Sequence, residues 1–243
     1  MTEPVTGRAE AAGTPVGRRV FLGLLGFGAA GVLLGARVDD WMERVLGPIT
    51  AKDGTGFLAL LPIGRFRIYS VAARFPSRSR AEYHLEISGL VERPATISFA
   101  ALQARPPVSL TRDFQCVTGW RVHDVTWTGV RLRDLLSEAG RRPGAKAVRF
   151  TSFDGVYSES LSLEQAQRDD VLVAYRLDGS DLSRVHGGPV RLAVTPMYGY
   201  KSLKWLATIE VTDRVEPGYW EHRGYDVDGW VGHSNGRSDD PTA

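Results

Sequence analysis

The sequence predicts an α+β fold rich in β-strand, and three observations support this class. Short apolar runs with β-prone residues recur across residues 63–233, helical periodicity is confined to a few short segments, and long polar connections separate the strands. The chain has 243 residues, 43% of them hydrophobic, which suffices for a domain with a buried core. Functional sites usually lie in connections of this kind.

Six segments have strand patterns. Residues 83–88 alternate apolar and polar side chains until Gly89 breaks the alternation. The Asp178-Gly179 pair predicts a tight turn after the segment 171–177. The other five segments are β-prone runs at 66–71, 147–153, 171–177, 189–195 and 205–212.

Three short helices are expected. The first begins near Ser98, and the second covers 131–139, where the apolar side chains share one face and Gly140 follows as a C-cap. The third opens at Ser162, where Ser-Leu-Glu-Gln has the pattern of a capping box.

The N-terminal region has the pattern of an export signal. Residues 1–19 have the composition of a disordered segment and end in the pair Arg18-Arg19, and residues 20–36 carry no charge. This arrangement resembles a twin-arginine signal, a route that exports folded proteins. Because arginines precede the apolar run and acidic residues follow it, we expect a retained membrane anchor with the rest of the chain outside the cytoplasm. Cleavage, which would give a secreted or periplasmic protein, and a buried core helix are the alternatives.

The remainder divides into three parts. We expect a linker over 37–62, one domain over 63–233 and a disordered tail over 234–243. The chain has 30 Lys and Arg residues against 28 Asp and Glu residues, a net charge of +2. So small an excess argues against a nucleic-acid-binding protein, which should carry a clustered basic surplus.

Cys116 is the single cysteine of the chain, so an internal disulfide and a multi-cysteine metal centre are excluded. It lies in the segment DFQCVTGW, whose Gly-Trp end predicts a loop. Three roles fit the residue. It could be a small buried hydrophobe, a nucleophile of a thiol hydrolase with His123 as its base, or a thiolate that completes a metal already held by an organic chelator.

Two basic segments contain glycine. The first, HGGPVR from His186 to Arg191, combines glycines that permit close backbone approach with a guanidinium suited to phosphate. The second, YGYKSLK, adds Lys201 and Lys204 to an anion cradle. Taken singly, the segments also fit an ordinary turn and a solvated basic loop. Together with a thiolate they supply what a phosphate-bearing metal chelator needs.

The Cys116-Val-Thr-Gly-Trp segment and these two basic segments resemble the superfamily of sulfite oxidases and protein-methionine-sulfoxide reductase catalytic subunits, the single-pterin molybdenum enzymes. The resemblance runs from about residue 66 to residue 205. It implies a sulfite-oxidase-type fold of mixed sheets with few short helices, and a molybdenum–molybdopterin cofactor with Cys116 as the catalytic metal ligand. The cofactor contacts that it implies come from Tyr69, Ser70, Ser152, His186, Arg191, Ser202, Leu203 and Lys204.

The resemblance implies two-electron oxygen-atom transfer. Gly119-Trp120 follows the cysteine, as in the reductase branch, where sulfite oxidases carry arginines, so we expect a sulfoxide or a related S- or N-oxide, free or protein-bound, as substrate. Sulfite oxidation and a cofactor-free exported binding module are the alternatives. The sequence has no haem-attachment cysteine pair, and we expect a separate electron-transfer partner and a monomeric catalytic domain. No motif assigns roles to Arg112, Arg121 and His123.

Overall fold

The protein is described from a computed structural model, which covers residues 66–72 and 74–242. Within these residues, ten strands form two five-stranded sheets and three α-helices are short, so the β-rich α+β class is confirmed. The expected export signal, membrane anchor and linker, at 1–19, 20–36 and 37–62, lie outside the described residues. No helix among the described residues is long and apolar enough to cross a membrane.

The elements follow one another closely along the chain. The strands are β1 (His84–Gly89), β2 (Ala95–Ser98), β3 (Val108–Gln115), β4 (Arg121–Arg131), β5 (Ala147–Ser152), β6 (Ser158–Ser162), β7 (Val171–Leu177), β8 (Ser180–Asp181), β9 (Arg191–Val194) and β10 (Leu206–Thr212). The helices are α1 (Phe99–Gln103), α2 (Leu132–Ala139) and α3 (Leu163–Ala166). Single 3-10 turns occur at Arg184–His186, Gly199–Lys201 and Glu221–Arg223.

The two sheets differ in strand direction. The first has the order β2-β1-β10-β5-β6, and its β1 and β10 are parallel while the other neighbours are antiparallel. The second has the antiparallel order β3-β4-β7-β8, with β9 also paired to β7. The first sheet is therefore mixed, as expected.

Strand β7 shows how the core is divided. Val171, Val173 and Tyr175 pack into the main core with β1, β5 and β10, whereas Leu172 and Ala174 pack on the opposite face. This alternation follows from the two-residue period of a strand. The opposite face carries a second apolar cluster that includes Trp120 and Trp127 and reaches Cys116. The second sheet therefore separates the main core from the region of the cysteine.

The helix and turn predictions are confirmed locally. Helix α2 buries its apolar face and ends at Gly140, whose φ is +68°. In α3 the Ser162 hydroxyl accepts a hydrogen bond from the Gln165 amide at 3.2 Å, and the Gln165 side chain accepts one from the Ser162 amide at 2.9 Å. This is the expected capping box. Asp178 has a positive φ of 49° in the tight turn between β7 and β8.

Five of the six expected strands are present, and the expectation at 66–71 is wrong. That segment has no regular secondary structure. Phe66 packs against Phe114 and Trp127, while Ile68 and Tyr69 are exposed, so the segment contributes one anchoring ring instead of a buried strand face. Strands β2, β3, β4, β6 and β8 were not predicted from the sequence.

Residues 234–242 differ from the expectation of a disordered tail. The Tyr198 hydroxyl donates to Asp239 Oδ2 at 2.7 Å and accepts from the Gly232 amide at 3.1 Å. Arg237 binds both oxygens of Asp239, at 2.6 and 2.7 Å. The polar composition of this segment suggests disorder, but its polar groups find fixed partners on the domain.

We predict that Tyr198→Phe lowers the free energy of unfolding by about 1–3 kcal/mol, because a buried hydrogen-bond network loses its central hydroxyl. Proteolytic cleavage within 234–242 should become faster in the same variant. Tyr219→Phe is the matched control, since the structure gives the Tyr219 hydroxyl no hydrogen bond within the described residues. Equal chemical denaturation midpoints and equal cleavage rates for the two variants would show that Tyr198 does not hold this segment.

Candidate active site

A cavity of about 400 Å³ lies where the loop after β3, the segment 66–71 and the loops around β9 meet. Seven of the nine predicted site residues line it. They are Tyr69, Ser70, Cys116, His186, Arg191, Ser202 and Lys204. The structure therefore brings together residues that are up to 135 positions apart in the chain, as the Lys204 contact with Tyr69 shows.

Cys116 occupies a short loop that joins β3 to β4. The Cys116 amide donates to the Trp120 carbonyl at 2.9 Å, and the Gly119 amide donates to the Cys116 carbonyl at 3.0 Å. The Thr118 hydroxyl donates to Sγ at 3.2 Å. These three hydrogen bonds fix the loop, and the expected loop position of Cys116 agrees with the structure.

The Cys116 thiol is kept protonated by its surroundings. Burial raises the pKa of this thiol, and the Thr118 hydrogen bond and the Arg237 and Arg67 cations oppose the rise without reversing it. A protonated thiol is a poor nucleophile, whereas a metal ion displaces its proton on binding. The environment of Cys116 therefore suits a metal ligand better than a hydrolytic nucleophile.

His123 is not placed to act as the base that the thiol hydrolase alternative requires. Its Nδ1 pairs with Asp113 Oδ2 at 3.0 Å, its side chain is half exposed, and it is absent from the described residues that line the cavity. Arg112 and Arg121 are likewise outside the lining. The geometry gives no support to the thiol hydrolase.

Arg191 supplies a buried positive charge at the other end of the cavity. Its side chain is deeply buried, with the residue 2% exposed, and donates to the carbonyl oxygens of His186 at 2.9 Å and Ser202 at 2.8 Å. The guanidinium also lies 4.8 Å from the centre of the Trp127 ring. Burial lowers the pKa of Arg191 to about 10, so the group remains charged at neutral pH.

Lys204 and His186 adjoin this charge. Lys204 Nζ donates to the carbonyl oxygens of Tyr69 at 3.0 Å and Val185 at 2.9 Å. Burial, followed by repulsion from Arg191, lowers the pKa of Lys204 to about 7. Burial and the same two cations lower the pKa of His186 and favour its neutral ring. Because no carboxylate among the described residues pairs with Arg191 or Lys204, a bound anion would be strongly stabilised here.

Lys201 does not belong to this cradle, contrary to the sequence-based expectation. Its ammonium is fully buried and contacts Glu159, Glu221 Oε1 at 2.9 Å, and the carbonyl oxygens of Ser160 and Val227 at 2.9 Å each. Two carboxyl groups thus surround the ammonium. Lys201 ties β6 to the Glu221–Arg223 turn and is not available to a ligand.

The glycines of the two basic segments serve packing. A Cβ on Gly187 would lie 2.9 Å from Lys204 Cβ, and one on Gly188 would lie 2.2 Å from the Leu182 carbonyl oxygen. A Cβ on Gly199 would lie 2.4 Å from the Phe114 ring. The backbone approaches other parts of the protein at these positions, so close approach to a ligand is not needed to explain the glycines.

Ser152 and Leu203 are the two predicted site residues that the structure leaves outside the lining. Ser152 contacts Asp154 and its hydroxyl accepts from the Tyr157 amide at 3.1 Å, so it fixes a loop whose Asp154 and Tyr157 reach the cavity. Leu203 is buried in the main core, and its carbonyl accepts from the Leu192 amide at 2.9 Å. Neither side chain lines the cavity: Ser152 fixes a loop that does, and Leu203 packs in the main core.

Sequence reasoning left open a group of rings that we call the aromatic wall, comprising Tyr157, Tyr200, Trp220 and Tyr225. All four line the cavity. Trp220 stacks on Tyr225 with ring centres 5.1 Å apart, and Tyr200 meets Tyr225 edge-on at 5.3 Å. The Tyr219-Trp220 pair and Gly224-Tyr225 in the sequence were the available signal, but ordinary packing was the favoured interpretation.

Comparison with known proteins identifies the family. Residues 72–220 match the oxidoreductase molybdopterin binding domain. An uncharacterized oxidoreductase of Bacillus subtilis (strain 168) is 35% identical over 148 residues, which span 61% of this chain and 74% of that protein. A sulfite oxidase of Arabidopsis thaliana is 29% identical over 59% of this chain and 45% of its own length.

Two further comparisons agree. The protein-methionine-sulfoxide reductase catalytic subunit of Campylobacter jejuni is 30% identical over 63% of this chain and 55% of its own length. The crystal structure of the sulfane dehydrogenase SoxCD from Paracoccus pantotrophus aligns with a TM-score of 0.53 and 27% identity, covering 58% of this chain and 40% of that one. The chain thus spans about half or less of these relatives, and three quarters of the Bacillus protein.

The chain belongs to the molybdopterin-binding oxidoreductase family and is an enzyme with a molybdenum–molybdopterin cofactor. The residues of the cavity fit this group. Arg191 is a buried cation and Lys204 is a partly buried amine, both with carbonyl partners, which suits the phosphate of the cofactor, and the Cys116 thiol opens into the same cavity. The cysteine is a soft ligand suited to a metal that the pterin already chelates.

We predict that sulfate binding to the cofactor-free chain weakens as pH rises from about 6 to about 9, by at most about tenfold per pH unit, because the anion requires a protonated Lys204. The Lys204 pKa of about 7 sets the start of this decline. Arg191 stays charged and His186 stays neutral over most of this pH range, so titration of either residue would not produce the same decline in sulfate affinity. Calorimetric titration of Lys204→Gln should give weaker binding with no such decline, and an unchanged decline in this variant would contradict the assignment.

We also predict opposite effects for two substitutions at the Lys201 cluster. Burial, opposed by Lys201 and reinforced by Glu221, raises the pKa of Glu159 well above its ordinary value of 4.5. An acid whose pKa is raised on folding loses stability as pH rises from its unfolded to its folded pKa. Glu159→Gln should therefore become more stable relative to the unsubstituted protein as pH rises. Lys201→Met should lower the free energy of unfolding by about 3–5 kcal/mol, because it leaves two buried carboxyl groups without their cation.

Urea unfolding of both variants at acidic and mildly alkaline pH measures these effects. An effect of Glu159→Gln that does not change with pH would contradict the raised pKa.

Proposed function

We propose that this chain is a molybdenum–molybdopterin-dependent reductase that takes the oxygen atom from a sulfoxide or a related S- or N-oxide. The observation that carries the proposal is the aromatic wall, which lines the same cavity as Cys116. Aromatic faces and edges suit a neutral sulfur compound, whereas an anion such as sulfite needs cations that are not already compensated. Both oxygens of Asp239 bind Arg237, the cation that acts on the thiol most strongly.

In this proposal the two ends of the cavity have separate roles. Cys116 Sγ is the protein ligand of the metal, and Arg191 with Lys204 binds the phosphate. His186 offers a hydrogen bond to the pterin, and Tyr69, Ser70 and Ser202 contact the cofactor along its length. Ser152 and Leu203 act from outside the lining, as supports of these contacts.

The cofactor supplies the two-electron transfer of an oxygen atom. The protein contributes position, polarity and exclusion of water. The Thr118 hydroxyl, already hydrogen-bonded to Sγ at 3.2 Å, withdraws electron density from the sulfur. The aromatic wall orients the substrate oxygen toward the Cys116 side of the cavity and keeps bulk water away from it.

Sulfite oxidation is the second candidate, and Arg67 is the observation that favours it. This residue lines the cavity, and its charge acts on the Cys116 thiol. A guanidinium at that position could bind an oxyanion substrate. A sulfite oxidase is also among the relatives.

We further propose that electrons come from a separate protein and that the enzyme works outside the cytoplasm as a monomer. Support for the electron partner comes from the relative that is named as a catalytic subunit. The Arg18-Arg19 pair and the uncharged run at 20–36 support export, with that run as a membrane anchor. A substrate carried on a protein is as compatible with the open cavity as a free small molecule.

The two candidates predict different kinetics. With a sulfoxide, Trp220→Ala should reduce kcat/KM by about tenfold through loss of aromatic contact, and Trp220→Phe should retain most of it. Arg67→Gln should have the smaller effect on sulfoxide reduction. Steady-state assays with an alkyl aryl sulfoxide, methionine sulfoxide and sulfite measure these effects. A higher kcat/KM for sulfite, lost in Arg67→Gln and retained in Trp220→Ala, would favour the second candidate.

A further inference from the structure

Arg121 joins three separate parts of the chain beside the Cys116 loop. It begins β4 and lies opposite Gln115, the last paired position of β3 before the loop. Its Nε donates to Gln115 Oε1 at 2.6 Å and its Nη1 donates to Asp113 Oδ2 at 3.2 Å. Its Nη2 contacts the carbonyl oxygen of Asp240. The Arg121 side chain is 15% exposed, so these contacts are largely shielded from solvent.

Gln115 links Arg121 to Cys116, the proposed metal ligand. The Gln115 side chain is buried, and its Nε2 donates to the Cys116 carbonyl oxygen at 3.3 Å. An amide has one acceptor side and one donor side. Because Arg121 occupies the oxygen, the amide nitrogen is directed to Cys116. A continuous series of hydrogen bonds therefore runs from Asp113 through Arg121 and Gln115 to Cys116.

Asp113 anchors the series in the sheet. Its second oxygen accepts from the Asp124 amide at 3.2 Å, at a residue whose φ is +54°. The pairing of β3 and β4 shifts register between Arg112 and Phe114, beside this contact. His123 binds the same carboxylate at 3.0 Å. The Asp113 carboxylate thus stabilises the register shift of the β3–β4 hairpin and also binds Arg121.

On its other side Arg121 reaches the segment 237–240. Asp240 contacts Arg121, and the adjacent Asp239 binds Arg237 through both carboxylate oxygens. Arg121 therefore joins this segment to the β3–β4 hairpin that carries the Cys116 loop.

We propose that Arg121 is a positioning residue, which sets the geometry of the Cys116 loop by joining Gln115, Asp113 and Asp240. The inference rests on the proposed role of Cys116 as the metal ligand. Groups that orient metal ligands commonly change metal affinity or activity by about 10–100-fold when removed, without contacting the metal. Arg121 has no place in the lining of the cavity, so its effect must pass through the cysteine loop.

Three variants of the full-length holoenzyme test the proposal. Arg121→Gln removes the guanidinium group that contacts Gln115, Asp113 and Asp240. Gln115→Glu keeps a partner for Arg121 but cannot donate to the Cys116 carbonyl, so it should fold with near-normal thermal stability. Arg112→Gln is the matched control, because Arg112 is on the same hairpin and its Nη1 donates to the Thr111 carbonyl at 2.9 Å instead of contacting Gln115.

We expect Arg121→Gln and Gln115→Glu to change the EPR spectrum of the partly reduced molybdenum and to lower kcat by about tenfold. The control should match the unsubstituted enzyme in each measurement. EPR spectra unchanged in both Arg121→Gln and Gln115→Glu would overturn the proposal.

A second measurement needs no bound cofactor. In metal-depleted chain, iodoacetamide can label Cys116 alone, because it is the single cysteine. We expect labelling to be about tenfold faster in Arg121→Gln than in Arg112→Gln, since the loop that shields the thiol is released. Equal labelling rates would overturn the proposal. Absence of molybdenum from the unsubstituted protein would instead contradict the proposed function, so the two failures are distinguishable.

Discussion

The buried guanidinium of Arg191 is the interaction on which the rest of the site depends. It donates hydrogen bonds to the carbonyl oxygens of His186 and Ser202, which lie in two different loops. Lys204 donates one to the carbonyl oxygen of Tyr69. Burying an unpaired cation costs several kcal/mol. Within the described part of the chain, no carboxylate pairs with Arg191 or Lys204, and we propose that the phosphate of the family's cofactor offsets the cost. On this proposal, the loops around the cavity are arranged for an anion that the cofactor supplies.

Packed aromatic rings connect the proposed metal ligand Cys116 with the proposed phosphate-binding residue Arg191. Arg191 lies over Trp127 of β4, the strand that begins immediately after the Cys116 loop. Trp127 belongs to the same apolar cluster as Trp120 and contacts Phe66 of the segment that crosses the cavity. A displacement of Arg191 would thus be transmitted to the Cys116 loop through these close-packed rings. This connection explains how side chains far apart in sequence define one site.

The sequence predicted the parts of the molecule whose signal is local. The strand at 171–177 and the capping box at Ser162 could be recognised because each depends on neighbouring residues. The same holds for the two basic glycine-containing segments that we propose to contact the cofactor. Strand β3 was missed because Thr111, Arg112 and Asp113 interrupt its apolar pattern. The role of Lys201 was misjudged because its partners Glu159 and Glu221 are 42 and 20 positions away, and only the fold brings them together.

The central claim is that one cysteine sulfur of this chain binds the metal of a cofactor that Arg191 and Lys204 retain. X-ray absorption at the molybdenum edge tests it most directly, on the purified holoenzyme and on Cys116→Ser. The account predicts near-stoichiometric molybdenum in the unsubstituted enzyme and the loss of a single sulfur scatterer in the variant. An identical sulfur shell in the two proteins would contradict it.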